Sequence, residues 1–359
     1  MLVKADRWPP VEAIGTIFII LLSNIVQVLS FRFMQHVNMK KKLIIAAFAI
    51  FPLIALCQKP DTLIKKLDSL SRKTDSAGGQ ANNISTKAYN ENTRITFSSY
   101  FILLGSDLKQ EFTAPFHFTL KDWRTVGAVA IVGGALFLVD EPVQRYALRL
   151  RDSSATVRNT SKYVTKFGGS YEAYILAGLG AYGFIFKNEK IKTTTLLATQ
   201  AYITGAAMES FLKLLSGRQR PYYYNPREIE VEPKFHGPLG SYGKDINGNK
   251  INSSFPSGHT TVAFAAATVF AMEYKDRPLV PIISYSAATL IGLSRITENK
   301  HWISDVFVGG VLGYFTGRLV VNNYHRYAKL KAPNQKKNSI SFNIQYQYGR
   351  VMPGLTYKF

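Results

Sequence analysis

Seven apolar runs of helical length lie between residues 97 and 324, at about 97–112, 123–140, 170–187, 192–214, 260–274, 278–294 and 303–324, with Gly, Pro and charged clusters between them. Apolar side chains at helical spacing over such lengths demand helices that cover one another's faces. The expected fold is therefore all-α, a helical bundle of about six core helices occupying 96–328 as one domain. No repeat of fixed period is visible. Several runs approach membrane length, 125–139 and 306–321 among them, yet most fall short of the roughly 18 to 20 apolar residues a span requires. Asp140, Glu209, Lys213 and the threonines at 193–195 sit within or beside them. A soluble bundle and a thin multi-span membrane protein fit this pattern equally well.

The flanks have a different character. MKKKLIIAAFAIFPLIALCQK, from Met39, has a three-lysine start, an apolar stretch and small residues at 55 and 57, the pattern of a secretory signal at 39–57. A second apolar stretch lies upstream at 14–29, so the chain either carries a true N-terminal anchor or starts in fact at Met39, the reading favoured here. Leu56 before Cys57 argues against a lipidated cysteine, and cleavage after Cys57 leaves a mature chain with neither disulfide nor thiol nucleophile. Residues 58–95 are a polar lead rich in Ser, Asn, Lys and Gly. Past the basic linker KLKAPNQKKN, 339–359 alternates polar and apolar, breaks at Gly349 and reads as a β-hairpin, expected as an accessory to the helical domain.

Lys and Arg number 44 against 23 Asp and Glu, a formal charge of +21, which suits an anionic partner. No basic block interleaved with aromatics at groove-reading spacing appears, so nucleic acid is excluded as the expected partner. A phosphorylated lipid or small phosphomonoester remains, with a membrane surface alongside.

Three short stretches carry chemistry. KLLSGRQRP sets Lys213 seven residues before Arg220; SSFPSGHT sets Ser257, Gly258 and His259 at the start of an apolar helix; SRITENKHWISD contains Arg295, His301 and Asp305. Each has an ordinary explanation: a solvated helix end and turn, an N-cap, an i,i+4 pair. Together they assemble a phosphate site. A helix N-terminus offers unpaired N–H groups and a positive dipole end, and Gly258 permits close approach. Lys213, Arg220 and Arg295 add cations, arginine with a bidentate fork. A helix beginning near Asn299 would put His301 and Asp305 on one face, imidazole against carboxylate.

K-x6-RP at 213–221, PSGH at 256–259 and SR-x5-H-x3-D at 294–305 resemble the three-part signature of the type 2 phosphatidic acid phosphatase and vanadium haloperoxidase superfamily, matching at all eleven fixed positions over about a quarter of the chain. The resemblance implies His301 as the nucleophile taking the phosphoryl group, Asp305 orienting it, and His259 protonating the leaving oxygen. Lys213, Arg220, Ser257, Gly258 and Arg295 would bind the phosphoryl oxygens. It implies a metal-independent lipid phosphate or acid phosphatase with no cofactor, acting on a monoester or diphosphate through a phosphohistidine, on the periplasmic side of the envelope. The alternatives are a vanadate-dependent haloperoxidase and a non-enzymatic envelope protein. The tyrosines at 222–224 are candidates for a substrate mouth, although packing is the simpler explanation, and His117, His236 and His325 have no evident partner.

Overall fold

Thr96 and Thr119 begin the first two helices by the same device. Each side chain accepts from the backbone N–H three residues on, and Ser99 and Asp122 in turn accept from the threonine's own N–H, filling donors that a helix start leaves open. The computed structural model describes residues 89–221, 233–238, 240–244, 248 and 250–331, with the backbone of 339–347 and 350–358. The signal sequence expected at 39–57, the lead up to residue 88 and the tyrosines at 222–224 lie outside the described residues.

Among the described residues nine α-helices follow in order: α1 (Phe97–Thr113), α2 (Leu120–Leu138), α3 (Asp140–Ser153), α4 (Ala155–Val164), α5 (Ser170–Ile185), α6 (Glu189–Ser216), α7 (Gly258–Glu273), α8 (Leu279–Thr297) and α9 (Ile303–Lys331). The seven apolar runs are α1, α2 and α5 to α9. The other two, DEPVQRYALRLRDS and ATVRNTSKYV, are polar along most of their length and bury little beyond Asp140, Gln144 and Ala147 on α3 and Ser161 on α4. Such narrow stripes escape a search for apolar runs, so the bundle has more helices than expected. At the C-terminus the backbone of β1 (Ser339–Gln347) pairs antiparallel with that of β2 (Arg350–Lys358). The all-α fold rests on the helices alone.

The core lies where α6, α7 and α9 meet around Leu197, Ala198, Ala201, Ala265, Val269, Val320 and Val321, with Leu103 of α1 against them. Buried polar pairs fix α1 to α9: Asn323 donates to Asp107 at 2.8 Å and Thr316 to Glu111 at 2.5 Å. α7 and α9 approach more closely than ordinary side chains allow. A Cβ at Gly313 would overlap the Thr261 carbonyl oxygen, and one at Gly317 or Gly309 would lie 2.6 or 2.7 Å from the carbonyl of Ala265 or Ser257. These glycines, four apart, form a small-residue stripe of the kind that lets helix backbones meet. The start of α7 thereby reaches the start of α9, and Ser257 N–H donates to the Asp305 carbonyl at 3.1 Å.

Outward faces are apolar. Leu120, Ile131 and Leu138 on α2, Tyr174 and Ile185 on α5, and Leu279 and Ile283 on α8 are each more than half exposed. A soluble bundle would leave this surface in water. α8 and α9 are long and apolar enough to cross a membrane, and the α2–α3 pair, bent by 60°, makes a third span if counted as one. Among the described residues the chain therefore has two to three candidate membrane spans.

Candidate active site

α6 ends at Gly217, whose φ of +54° and N–H bond to the Lys213 carbonyl close the helix in left-handed geometry. That turn sends Arg218, Gln219 and Arg220 back across the bundle. Arg220 donates from Nε to Ser253 Oγ at 3.2 Å and from Nη2 to the Ser253 carbonyl at 3.1 Å, which ties it to the strip of chain leading into α7. Ser257 occupies the N-cap position of α7, but its hydroxyl meets Thr260 Oγ1 at 2.8 Å and makes no capping bond to the backbone. The simple N-cap explanation of Ser257 therefore fails, and the N–H groups that open α7 carry no side-chain cap.

α9 begins at Ile303, not near Asn299. Asn299 has φ of +56° and turns the chain, so His301 lies in the connection between α8 and α9. Its Nδ1 is 2.7 Å from the Ser254 carbonyl oxygen and 3.7 Å from Asp305 Oδ2. A carbonyl only accepts, so Nδ1 carries the proton and Nε2 keeps the lone pair. The expected direct Asp305–imidazole hydrogen bond is absent, because both Asp305 oxygens are engaged elsewhere. Oδ2 accepts from Ser254 Oγ at 2.5 Å and from Trp302 N–H at 2.9 Å, and Oδ1 pairs with Arg218.

Arg218 is the largest omission of the sequence reading. Fully buried, it donates to Ser304 Oγ at 2.7 Å, to Asp305, and to Asp140 Oδ2 at 2.5 Å. Rings of Phe137, Phe235 and Trp302 surround the guanidinium at 4.8, 5.0 and 5.8 Å. Asp140 also accepts from Ser304 N–H at 3.0 Å and from its hydroxyl at 2.6 Å. Two carboxylates thus share one cation, which leaves a formal negative charge behind His301. The signals were present in sequence as a second arginine inside SGRQRP and a carboxylate at the end of an apolar helix, where a buried charge needs a partner.

His259 sits in the first turn of α7. Gly168 and Gly169 make room for it: a Cβ at Gly169 would lie 3.2 Å from its Nε2, and one at Gly168 3.0 Å from its Cβ. Arg295 leans on the same turn, donating to Thr165 Oγ1 at 2.5 Å, and its buried Nε has no hydrogen-bond partner. Lys213 is paired with Glu209, one turn back on α6, a residue the sequence offered only as an interruption. Burial comes first in lowering the pKa of both histidines, followed by the fields of Arg220, Arg295 and Lys213 on His301 and of Arg295, Lys213 and Arg220 on His259. His301 lies well below the ordinary imidazole value and His259 at about 3, so both are neutral at neutral pH. The fold therefore brings Lys213, Arg220, Ser257, Gly258, His259, Arg295, His301 and Asp305 into one polar site. Among the described residues, no group of three or more His, Cys, Asp or Glu side chains could hold a metal ion.

The resemblance seen in the three motifs holds: residues 194–329 match the profile of the PAP2 superfamily. The chain is 42% identical over 80 residues to a lipid A 1-phosphatase of Porphyromonas gingivalis, covering 22% of this chain and 18% of that protein. It is 28% identical over 159 residues to lipid phosphate phosphatase 1 of Arabidopsis thaliana, covering 37% and 48%. The chain thus spans less than half the length of each of these relatives. Among solved structures, LpxE of Aquifex aeolicus aligns with a TM-score of 0.36 and 23% identity, over 51% of this chain and 94% of that one.

Proposed function

We propose that this chain is a lipid phosphate phosphatase that hydrolyses a phosphate monoester or diphosphate through a phosphohistidine on Nε2 of His301. The observation that carries the reading is the bond from His301 Nδ1 to the Ser254 carbonyl, which leaves the nucleophilic lone pair on the other nitrogen, within the field of Arg220, Arg295 and Lys213. Nε2 attacks phosphorus, the bond to the leaving oxygen breaks, and His259 supplies that oxygen's proton. Water then attacks phosphorus while His259 takes its proton, the P–Nε2 bond breaks to return His301 as the leaving group, and phosphate departs.

Positive charge develops on the imidazole as the P–N bond forms. The Asp140–Arg218–Asp305 group, one negative charge in excess, stabilises it from behind, while Lys213, Arg220, Arg295 and the open N-terminus of α7 stabilise the phosphoryl oxygens as their charge grows. His259 is neutral in the empty site, and an arriving phosphate anion raises its proton affinity, making it an acid only when substrate is present. The cations of this site are side chains, and the mechanism calls for no metal. A lipid substrate is supported by the apolar outer faces of α2, α5 and α8 and by the names of the relatives, and the signal sequence expected at 39–57 supports a site on the periplasmic side.

Phosphate release by the purified full chain, screened over lipid and soluble phosphates with and without detergent, tests the reading. Activity is expected to persist in excess chelator and to be blocked by vanadate. Loss of activity on chelation would sink the metal-independent mechanism, and activity in His301→Ala would remove the nucleophile.

A further inference from the structure

An anion already stands at the phosphate cradle, and it belongs to the protein. Glu209 is 7% exposed and pairs with Lys213 through Oε1. The same carboxylate rests against Gly258, the first residue of α7, so closely that a Cβ there would overlap Oε1, with Lys213 Nζ at 3.4 Å. Glutamate four residues before lysine is a favourable surface pair on any helix. This pair is not on a surface: it lies against the uncapped start of another helix, where anions bind.

We propose that Glu209 is a further residue of the phosphate site, one that accepts a hydrogen bond from a protonated phosphoryl oxygen and so selects head groups that carry a P–OH. The inference rests on the phosphatase reading above and deepens it. A phosphoryl group held by Lys213 and the Gly258 backbone meets the carboxylate, and one proton shared between the two acids removes the repulsion of like charges. A monoester monoanion brings that proton with it. A fully ionised head group must gain one, so its binding weakens about tenfold for each pH unit above the second phosphate ionisation, near pH 6.

The groups facing Glu209 are known. On its own helix Ser210 donates to Oε2 at 3.2 Å, Lys213 pairs with Oε1, and Tyr202 lies in its field and in that of Glu172 on α5. Across the site stand Gly258 and His259 of α7, while Arg220 and Asp305 act on Lys213. His259 also exchanges a proton with bound phosphate. Its contribution survives replacement of Glu209, so a comparison of variants isolates the carboxylate.

The test is calorimetric binding of hexylphosphonate and its α,α-difluoro analogue, whose second proton leaves at lower pH, to the full chain in detergent micelles at about pH 5.5 and about pH 8. For the native protein, affinity should fall between the two pH values, and the fall should begin earlier for the difluoro ligand. Glu209→Gln should lose about tenfold in affinity at the lower pH, where the bond from P–OH is made, and much less at the higher pH, so that the fall of the difluoro ligand is flattened. Glu209→Ala, which adds no amide, should show the same change. An unchanged fall in both variants, or an equal loss of binding at both pH values, overturns the proposal and makes Glu209 a positioning residue for Lys213. A native protein that binds neither phosphonate nor vanadate at any pH overturns the phosphatase reading itself and this inference with it.

Discussion

His301 Nδ1 is hydrogen-bonded to the carbonyl oxygen of Ser254 at 2.7 Å, although Asp305 is the acid beside it, 3.7 Å away. The tautomer of the imidazole is therefore set by a backbone carbonyl in the strip that leads into α7. Asp305 acts through its charge and through the buried cation it holds.

This separates the effects of two substitutions. Asp305→Ala removes one of the two carboxylates on a guanidinium that has no exposure, and breaking a buried pair costs about 3–5 kcal/mol. His301→Ala loses a neutral hydrogen bond, worth about 1 kcal/mol. Both should abolish turnover, but thermal unfolding in detergent should show a much larger fall in Tm for Asp305→Ala. Equal falls would mean that Arg218 is adequately held by Asp140 alone.

Gly313→Ala should separate α7 from α9, because the added methyl group has no space beside the Thr261 carbonyl. Overpacking typically costs about 1–3 kcal/mol. Here it also displaces Ser257 from Asp305, so phosphate release should be lost with helix content preserved. Gly178→Ala on α5, where nothing lies within 4 Å, serves as the control and should be neutral or slightly stabilising. Matching activity in both variants would show that the glycine stripe does not set the site.

His259 makes stability depend on pH. Its pKa falls from about 6.5 in the unfolded chain to about 3 in the folded one, so between those values the unfolded state binds more protons. Stability then rises with pH across that window, and it is lost as pH falls from about 6.5 toward 3. His301 contributes with the same sign. Tm measured from neutral to acid pH should fall less steeply in His259→Asn than in the native protein, and phosphate should restore part of the native loss by facing the imidazolium with a negative charge. Parallel slopes would place His259 in water.

In its proposed role of general acid, His259 should matter most where the leaving alkoxide is poor. Removing a general acid costs about 10² to 10⁴ in rate, so His259→Ala should lose that much on an alkyl or glyceryl phosphate and far less on a nitrophenyl phosphate. The first, phosphorylating phase must be followed separately, since slow dephosphorylation of His301 hides the difference. Equal losses in that phase would make His259 a phosphate ligand.

The helical class and the residues that the site brings together were legible in the sequence. Apolar periodicity is local, so seven of the nine helices were legible, and eleven motif positions at fixed spacings named the histidines and most of the cations. Partnership was not legible. An i,i+4 spacing suggested that Asp305 would grip His301, but a turn at Asn299 holds His301 outside the helix, and Ser254, 47 residues earlier, takes the bond. Arg218 finds Asp140 across 78 residues and Asp305 across 87. Lys213 has Glu209 on the same helix, but only the approach of Gly258 from α7 makes that pair part of the cradle. Side-chain identity fixes which atoms can donate, accept or carry charge. Which of them meet is decided by distances that exist only after the glycines of α9 have let α7 come close enough for one helix start to touch the other.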